Sequence, residues 1–178
     1  MKSQKAISQS PFPFYIPAIG IILLLGILIY SNTFHAELHF DDLRELSEDY
    51  AIRQFPKIKP IWDYSKTRFI TYLTLAVNYY FHRLEVFGYH VANLAIHLLN
   101  TILVYFFVSL IFKTPALEKN PLTSQRQWIS LFSALIFAAH PVQTQAVTYI
   151  IQRAASLATL FYLGAVVFYF HWKIRKCL

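Results

Sequence analysis

The sequence predicts an all-α integral membrane protein with about four transmembrane helices and one helical loop outside the bilayer. Three observations carry this. Only 14% of the 178 residues are charged and 56% are hydrophobic, with a mean hydropathy of +0.42, whereas a soluble domain is nearer a quarter charged. The charges cluster, leaving uncharged runs long enough to span the roughly 30 Å hydrocarbon core at about 1.5 Å per residue. The basic residues are divided unevenly among the loops between those runs, which sets orientation in a membrane. On a soluble domain the formal charge of +7 would point to nucleic acid, but its placement between apolar runs argues against that partner.

The first helix is expected at about 12–31, where no charge occurs between Ala6 and Asn32. Lys2 and Lys5 precede it, so a signal peptide competes with an anchor. The apolar run is long for a signal, and Phe34 stands two positions before Ala36 where cleavage needs a small residue, so the segment reads as an uncleaved anchor. Residues 33–87 are mixed, with acids from Asp41 to Asp49, basic residues to Arg68, and Pro56 and Pro60 as interruptions. Within them Thr71 to Phe81 is apolar but short and broken by Asn78, which suits an interfacial helix. Further helices are expected at about 88–112, 124–139 and 142–170. The last two are separated by a turn at His140-Pro141, because proline disfavours helix at the residue before it.

With both termini in the cytosol, the inner side holds eight basic residues (Lys2, Lys5, Lys113, Lys119, Arg126, Lys173, Arg175, Lys176) and one acid, Glu118. The outer loop 33–87 holds seven basic and eight acidic residues, and Arg153 is left inside the last helix. Cys177 is the sole cysteine, which excludes an internal disulfide. Beside the basic tail it is either a plain thiol or a palmitoylation site. There is no glycine-rich phosphate loop, CxxC or HExxH, so no metal site is expected.

Three constellations could carry chemistry. His39-Phe40-Asp41-Asp42 places adjacent carboxylates at a membrane surface, where one could act as a general base or hold a cation. Equally, Asp41 or Asp42 could cap a helix through Leu43 to Gln54, with Glu45 completing a capping box. On the second helix His90, Asn93, His97 and Asn100 fall within about 80° of arc, with Leu98 nearly opposite. Lipid satisfies no such groups, so the stripe is either hydrogen-bonding glue between helices or the wall of a wet cavity. On the last helix Gln145, Tyr149, Gln152 and Ser156 share one face beside Arg153. That arginine either snorkels or binds an anion such as a lipid phosphate.

The order of these motifs resembles a known family. HFDD after a first membrane helix is similar to the acidic signature in the first outer loop of GT-C glycosyltransferases, notably protein O-mannosyltransferases. Arg68-Phe69 with TYLTLAVNYYF, then GYHVANLAIHLLN, then HPVQTQAVTYIIQRAASLATLFYL resemble the amino-terminal part of the transmembrane and tetratricopeptide-repeat O-mannosyltransferase-like proteins and their bacterial relatives. The likeness runs from about Tyr30 to Tyr169. It implies a partial GT-C fold, a polyprenyl-phosphate sugar as donor rather than a cofactor, a protein acceptor on the outer side, and a multi-pass protein of a bacterial inner membrane. It implies Asp41 or Asp42 as the base in an inverting transfer. Chemistry adds Arg153 as the cation for the departing phosphate, assisted by His90 or His140, with Asn93 and His97 lining the substrate site; a divalent metal stays open. Two departures stand out: relatives commonly carry glutamate where Gln145 stands, and such enzymes have at least twice as many membrane helices. The expectation is therefore a truncated portion, inactive alone. A noncatalytic four-helix membrane protein that binds a partner or lipid is the alternative.

Overall fold

The computed structural model describes residues 13–38, 41–47 and 50–177, without the side chains of Leu43, Ser47 and Cys177. His39 and Phe40 of the acidic motif, and the leading Lys2 and Lys5, lie outside it. Every regular element among the described residues is helical. Three segments are long and apolar enough to cross a membrane: Tyr15–His35, Val86–Ile111 and Ile150–Lys176. The chain is an all-α integral membrane protein.

Helix α1 (Tyr15–Tyr30) is uniformly apolar and continues into a 3-10 turn, Ser31–His35. Four short elements follow: α2 (Asp41–Ser47), a 3-10 turn at Ile52–Gln54, α3 (Ile58–Tyr64) and α4 (Phe69–His82). They enclose an apolar cluster of Leu46, Ile52, Ile61, Tyr72, Leu75 and Ala76, which closes on Tyr89 and Ile150 of the bundle. The described residues between 33 and 87 are thus a packed layer seated on the end of the membrane helices.

Helix α5 (Val86–Ile111) is the central post of the bundle and packs against α1, α6 (Arg126–Ala139) and α8 (Arg153–Cys177). Ala18, Ile22, Tyr105, Leu131 and Ala134 make the core between α1, α5 and α6. Gly26 lets α1 approach α5 closely, since a Cβ there would run into the Leu98 side chain. Leu98 is accordingly buried, packed with Tyr30, Leu94 and Val147. It is not the outward counterpart of the polar stripe; Leu99, half exposed, takes that place.

Helix α6 has 14 residues, about 21 Å, which is shorter than the hydrocarbon core by itself. It is preceded directly by a 3-10 turn, Pro121–Gln125. His140 stands extended ahead of Pro141. The segment expected as one helix over 142–170 is divided. A short α7 (Gln143–Thr148) ends at Tyr149, which is extended (φ −87°, ψ 110°), then comes a 3-10 turn, Ile150–Gln152, and then α8. This break dissolves the single face expected for Gln145, Tyr149, Gln152 and Ser156, and it organises the site.

Candidate functional site

A helix that breaks leaves amides and carbonyls without partners, and in buried surroundings these persist only where other groups replace the lost bonds. Here two polar side chains do so. Asp42, 1% exposed, accepts from the Ile150 amide (3.2 Å) through Oδ2 and from the Ile151 amide (2.9 Å) through Oδ1. Asn93, fully buried on α5, donates its amide to the carbonyls of Val147, Tyr149 and Ile150, each at 3.4 Å. The acidic pair thus makes long-range bonds as well as opening a helix. Asp42 satisfies a distant turn, and Glu45 accepts instead from the Tyr72 hydroxyl (3.0 Å).

Asp41 is exposed. Its Oδ2 accepts from the Tyr149 hydroxyl at 3.3 Å. Desolvation, together with the Asp41 and Asp42 carboxylates, holds that phenol above its ordinary range, so it stays a donor. The two adjacent aspartates thus have different environments. One carboxylate is consumed in holding backbone, and the other is fixed by one hydrogen bond and open to a reactant, as a general base requires.

Arg153 is 0% exposed. Its Nε donates to Asn93 Oδ1 (2.7 Å), Nη1 to Asn78 Oδ1 (2.6 Å) and Thr74 Oγ1 (3.5 Å), and Nη2 to the Tyr89 carbonyl (3.1 Å). These acceptors are neutral and come from α4 and α5, so the guanidinium ties the outer layer to the bundle. A side chain so enclosed does not present its fork to a lipid phosphate. Arg153 is better read as the post that fixes Asn93, and through Asn93 the helix break.

The other stripe residues also bond backbone. His90 Nε2 donates to the Ala36 carbonyl (3.1 Å), and His97 Nε2 donates to the Ala138 carbonyl (3.3 Å), which also accepts from Tyr30 (3.1 Å). Asn100 donates to the Ser156 carbonyl (3.0 Å). Among the described residues His90 Nδ1 and Asn100 Oδ1 have no partner. His140 is exposed, and its Nδ1 accepts from the Val142 amide (3.3 Å), a local turn contact. The structure therefore brings Asp41, Asp42, Asn93 and Arg153 together about the break, while His90, His97 and His140 serve other junctions.

Sequence reasoning gave no role to Asn78 and Thr74, and placed Tyr149 on a helix face without foreseeing its bond to Asp41. Asn78 had a signal, being the one amide in an apolar run, where polar groups are expensive and need partners. It also missed a groove of about 310 Å³ between the α3–α4 connection and the start of α8. Lys66 and Arg68 lie at its rim and Ala154, Leu157 and Phe161 form an apolar wall. Ala154 follows Ile151 by three residues, so this wall begins about 5 Å along the chain axis from the amides Asp42 holds. No metal-ligating cluster of three or more His, Cys, Asp or Glu occurs among the described residues.

The described residues thus combine an all-helical membrane bundle, an exposed carboxylate at Asp41 and an apolar-walled groove flanked by Lys66 and Arg68. The chain is 29% identical over 169 residues to the protein O-mannosyl-transferase Tmtc3 of Drosophila melanogaster, covering 83% of this chain and 18% of that protein. It is 26% identical to human TMTC4 over 157 residues (78% and 21%) and 27% identical to mouse TMTC1 over 189 residues (93% and 18%), both likewise named protein O-mannosyl-transferases. The likeness read from the motifs is thus borne out: the chain is related to one portion of these transferases, and spans about a fifth of their length. No family model and no solved structure matches it.

Proposed function

We propose that this chain is the amino-terminal part of a glycosyltransferase that uses a polyprenyl-phosphate sugar and glycosylates a protein acceptor on the outer side of a membrane. In this reading Asp41 takes the proton of the acceptor hydroxyl, and the oxygen attacks the anomeric carbon. The bond from that carbon to the phosphate oxygen breaks with inversion, and polyprenyl phosphate leaves. Asp42 is a positioning residue that holds Ile150 and Ile151. Lys66 and Arg68 replace Arg153 as the cations for the donor phosphate, with the polyprenyl chain along Leu157 and Phe161. His90, His97 and Asn93 act on the site through the backbone they bond, and His140 is left as a contact for the acceptor. Residues 33–87 face outward and both termini lie in the cytosol, the membrane being a bacterial inner membrane. The chain supplies the base and one wall of the donor site and is inactive without the rest of the longer protein.

The observation that carries this is the difference between the two aspartates, one exposed and one spent on backbone amides at the start of α8, the helix whose Ala154, Leu157 and Phe161 wall the groove of Lys66 and Arg68. The test is photo-crosslinking of a polyprenyl-phosphate analogue to the chain in membranes. Labelling concentrated on residues 157–161, and reduced roughly 30-fold by Lys66→Gln with Arg68→Gln, supports the donor site, since two surface cations contribute about 1 kcal/mol each to phosphate attraction. Even labelling of α1 and α8, unchanged in that variant, would leave the noncatalytic membrane protein as the better reading.

A further inference from the structure

The end of the bundle opposite Asp41 and Asp42 carries a second recess. It has a volume of about 320 Å³ and lies among the start of α1, the end of α5, the start of α6 and the end of α8. Lys113, Arg126 and His171 line it, around a floor that includes Tyr105, Phe106 and Val167. Acids are scarce here: beyond Glu85 the sequence has one, Glu118, which lines the neighbouring recess with Lys113 and Lys173. Lys173 rests against the Tyr169 ring, 5.8 Å from its centroid, and Lys176 over Trp172, at 4.3 Å. Among the described residues neither Lys113 nor Arg126 forms an ion pair, and Arg126 lies within electrostatic reach of the Tyr105 phenol on the floor.

Depth fixes the kind of occupant. Tyr15, Trp128 and Trp172 are each about half exposed at this end of the bundle (47%, 54% and 55%), and such aromatic rings settle at the headgroup level of a bilayer. The recess therefore opens where lipid phosphates lie. Its two fixed cations complement a phosphodiester, arginine by its fork and lysine as a point charge, while the sides of α5 and α8 continue as apolar surface for acyl chains.

We propose that this recess is a binding site for the headgroup of an anionic phospholipid, held by Lys113 and Arg126 with His171 at the rim. It staples the ends of α1, α5, α6 and α8 at the face remote from the acidic pair. The inference does not rest on the transferase reading, and either could fail without the other.

Native mass spectrometry of the purified full chain, with phosphatidylglycerol and phosphatidylcholine at equal concentration, tests it. The wild type is expected to retain phosphatidylglycerol in roughly 30-fold preference, the ratio that two basic contacts give. Lys113→Gln with Arg126→Gln is expected to remove the preference, and Lys66→Gln with Arg68→Gln, at the other end, to leave it. Equal retention of the two lipids by the wild type would overturn the site, and so would an undiminished preference in the Lys113 and Arg126 variant. Displacement of the lipid by added inorganic phosphate would show a free-anion site and overturn the lipid assignment. Should the Gln variant fail to fold, Lys113→Arg with Arg126→Lys keeps both charges, and loss of the preference there would also overturn it.

Discussion

Asp42 and Asn93 grip the same stretch of broken helix from opposite sides. The carboxylate takes the amides of Ile150 and Ile151, and the carboxamide gives to the carbonyls of Val147, Tyr149 and Ile150. They belong to α2 and α5, so the junction forms only when the outer layer and the bundle have both assembled. Arg153, one residue beyond the 3-10 turn, locks Asn93 in the orientation that keeps its NH₂ toward the carbonyls. The exposed Asp41 is fixed by the same junction, because Tyr149, its hydrogen-bond donor, is the residue at the break.

The first prediction separates the two aspartates. Asp41→Asn in the complete protein is expected to lower transfer by about 100-fold or more, the contribution of a general base, without changing thermal stability in detergent. Asp42→Asn is expected to lose about 1–3 kcal/mol of stability, because an amide has one acceptor oxygen where the turn needs two, and a buried N–H is left unsatisfied. Transfer rate and melting temperature measured on both variants decide it. Equal stability in the two would mean that the Asp42 bonds contribute nothing.

Asn93→Leu is expected to cost about 2–4 kcal/mol, since it strands several carbonyls and the Nε of a buried arginine. Leu99→Ile, on the exposed side of the same helix, is expected to fall within about 0.5 kcal/mol of wild type. Unfolding in detergent is the measurement. Comparable losses at both positions would contradict the inward placement of the stripe.

For Arg153 the prediction distinguishes a fork from a charge. Arg153→Lys keeps the charge but reaches fewer of the acceptors on Asn93, Asn78, Thr74 and Tyr89, so stability is expected to drop while donor crosslinking in the folded fraction persists. Arg153→Met is expected to cost about 1–3 kcal/mol for each neutral acceptor that it leaves buried and unpaired. A double-mutant cycle with Asn78→Leu is expected to show coupling of about 0.5–3 kcal/mol. Additivity in that cycle would mean that the short bond between them is not energetically real.

Tyr72 sets a pH dependence. Burial, and then the hydrogen bond to Glu45 with its negative charge, raise the Tyr72 phenol above its ordinary value. A folded-state value above the unfolded one means that its stabilisation is complete below about pH 10 and is lost as pH rises beyond that. Tyr72→Phe is expected to flatten the alkaline fall in melting temperature. An identical alkaline limb in the variant would assign the effect elsewhere.

Orientation is tested by labelling. In a Cys177→Ser background, a cysteine at exposed Tyr50 is expected to react with an impermeant reagent from outside, and one at exposed Ser124 only after permeabilisation. The reverse pattern would invert the topology.

The sequence alone determined that the chain is helical and membrane-bound, because charge-free runs and loop charge are one-dimensional properties. It also determined which polar groups mattered: a histidine or asparagine in an apolar run must find a partner, so His90, Asn93, His97 and Arg153 were legible as special. What it left undecided was the identity of each partner. Periodicity assigned Gln145, Tyr149, Gln152 and Ser156 to one face, since nothing between Val142 and Phe170 announces a break. The break at Tyr149 is stable because Asp42, 108 residues away from Ile150, and Asn93 supply the missing hydrogen bonds. The same long-range bonds spent Asp42 and Arg153 on structure and left Asp41 exposed. Local sequence sets the cost of an unsatisfied group, but only the tertiary structure decides which distant group meets it.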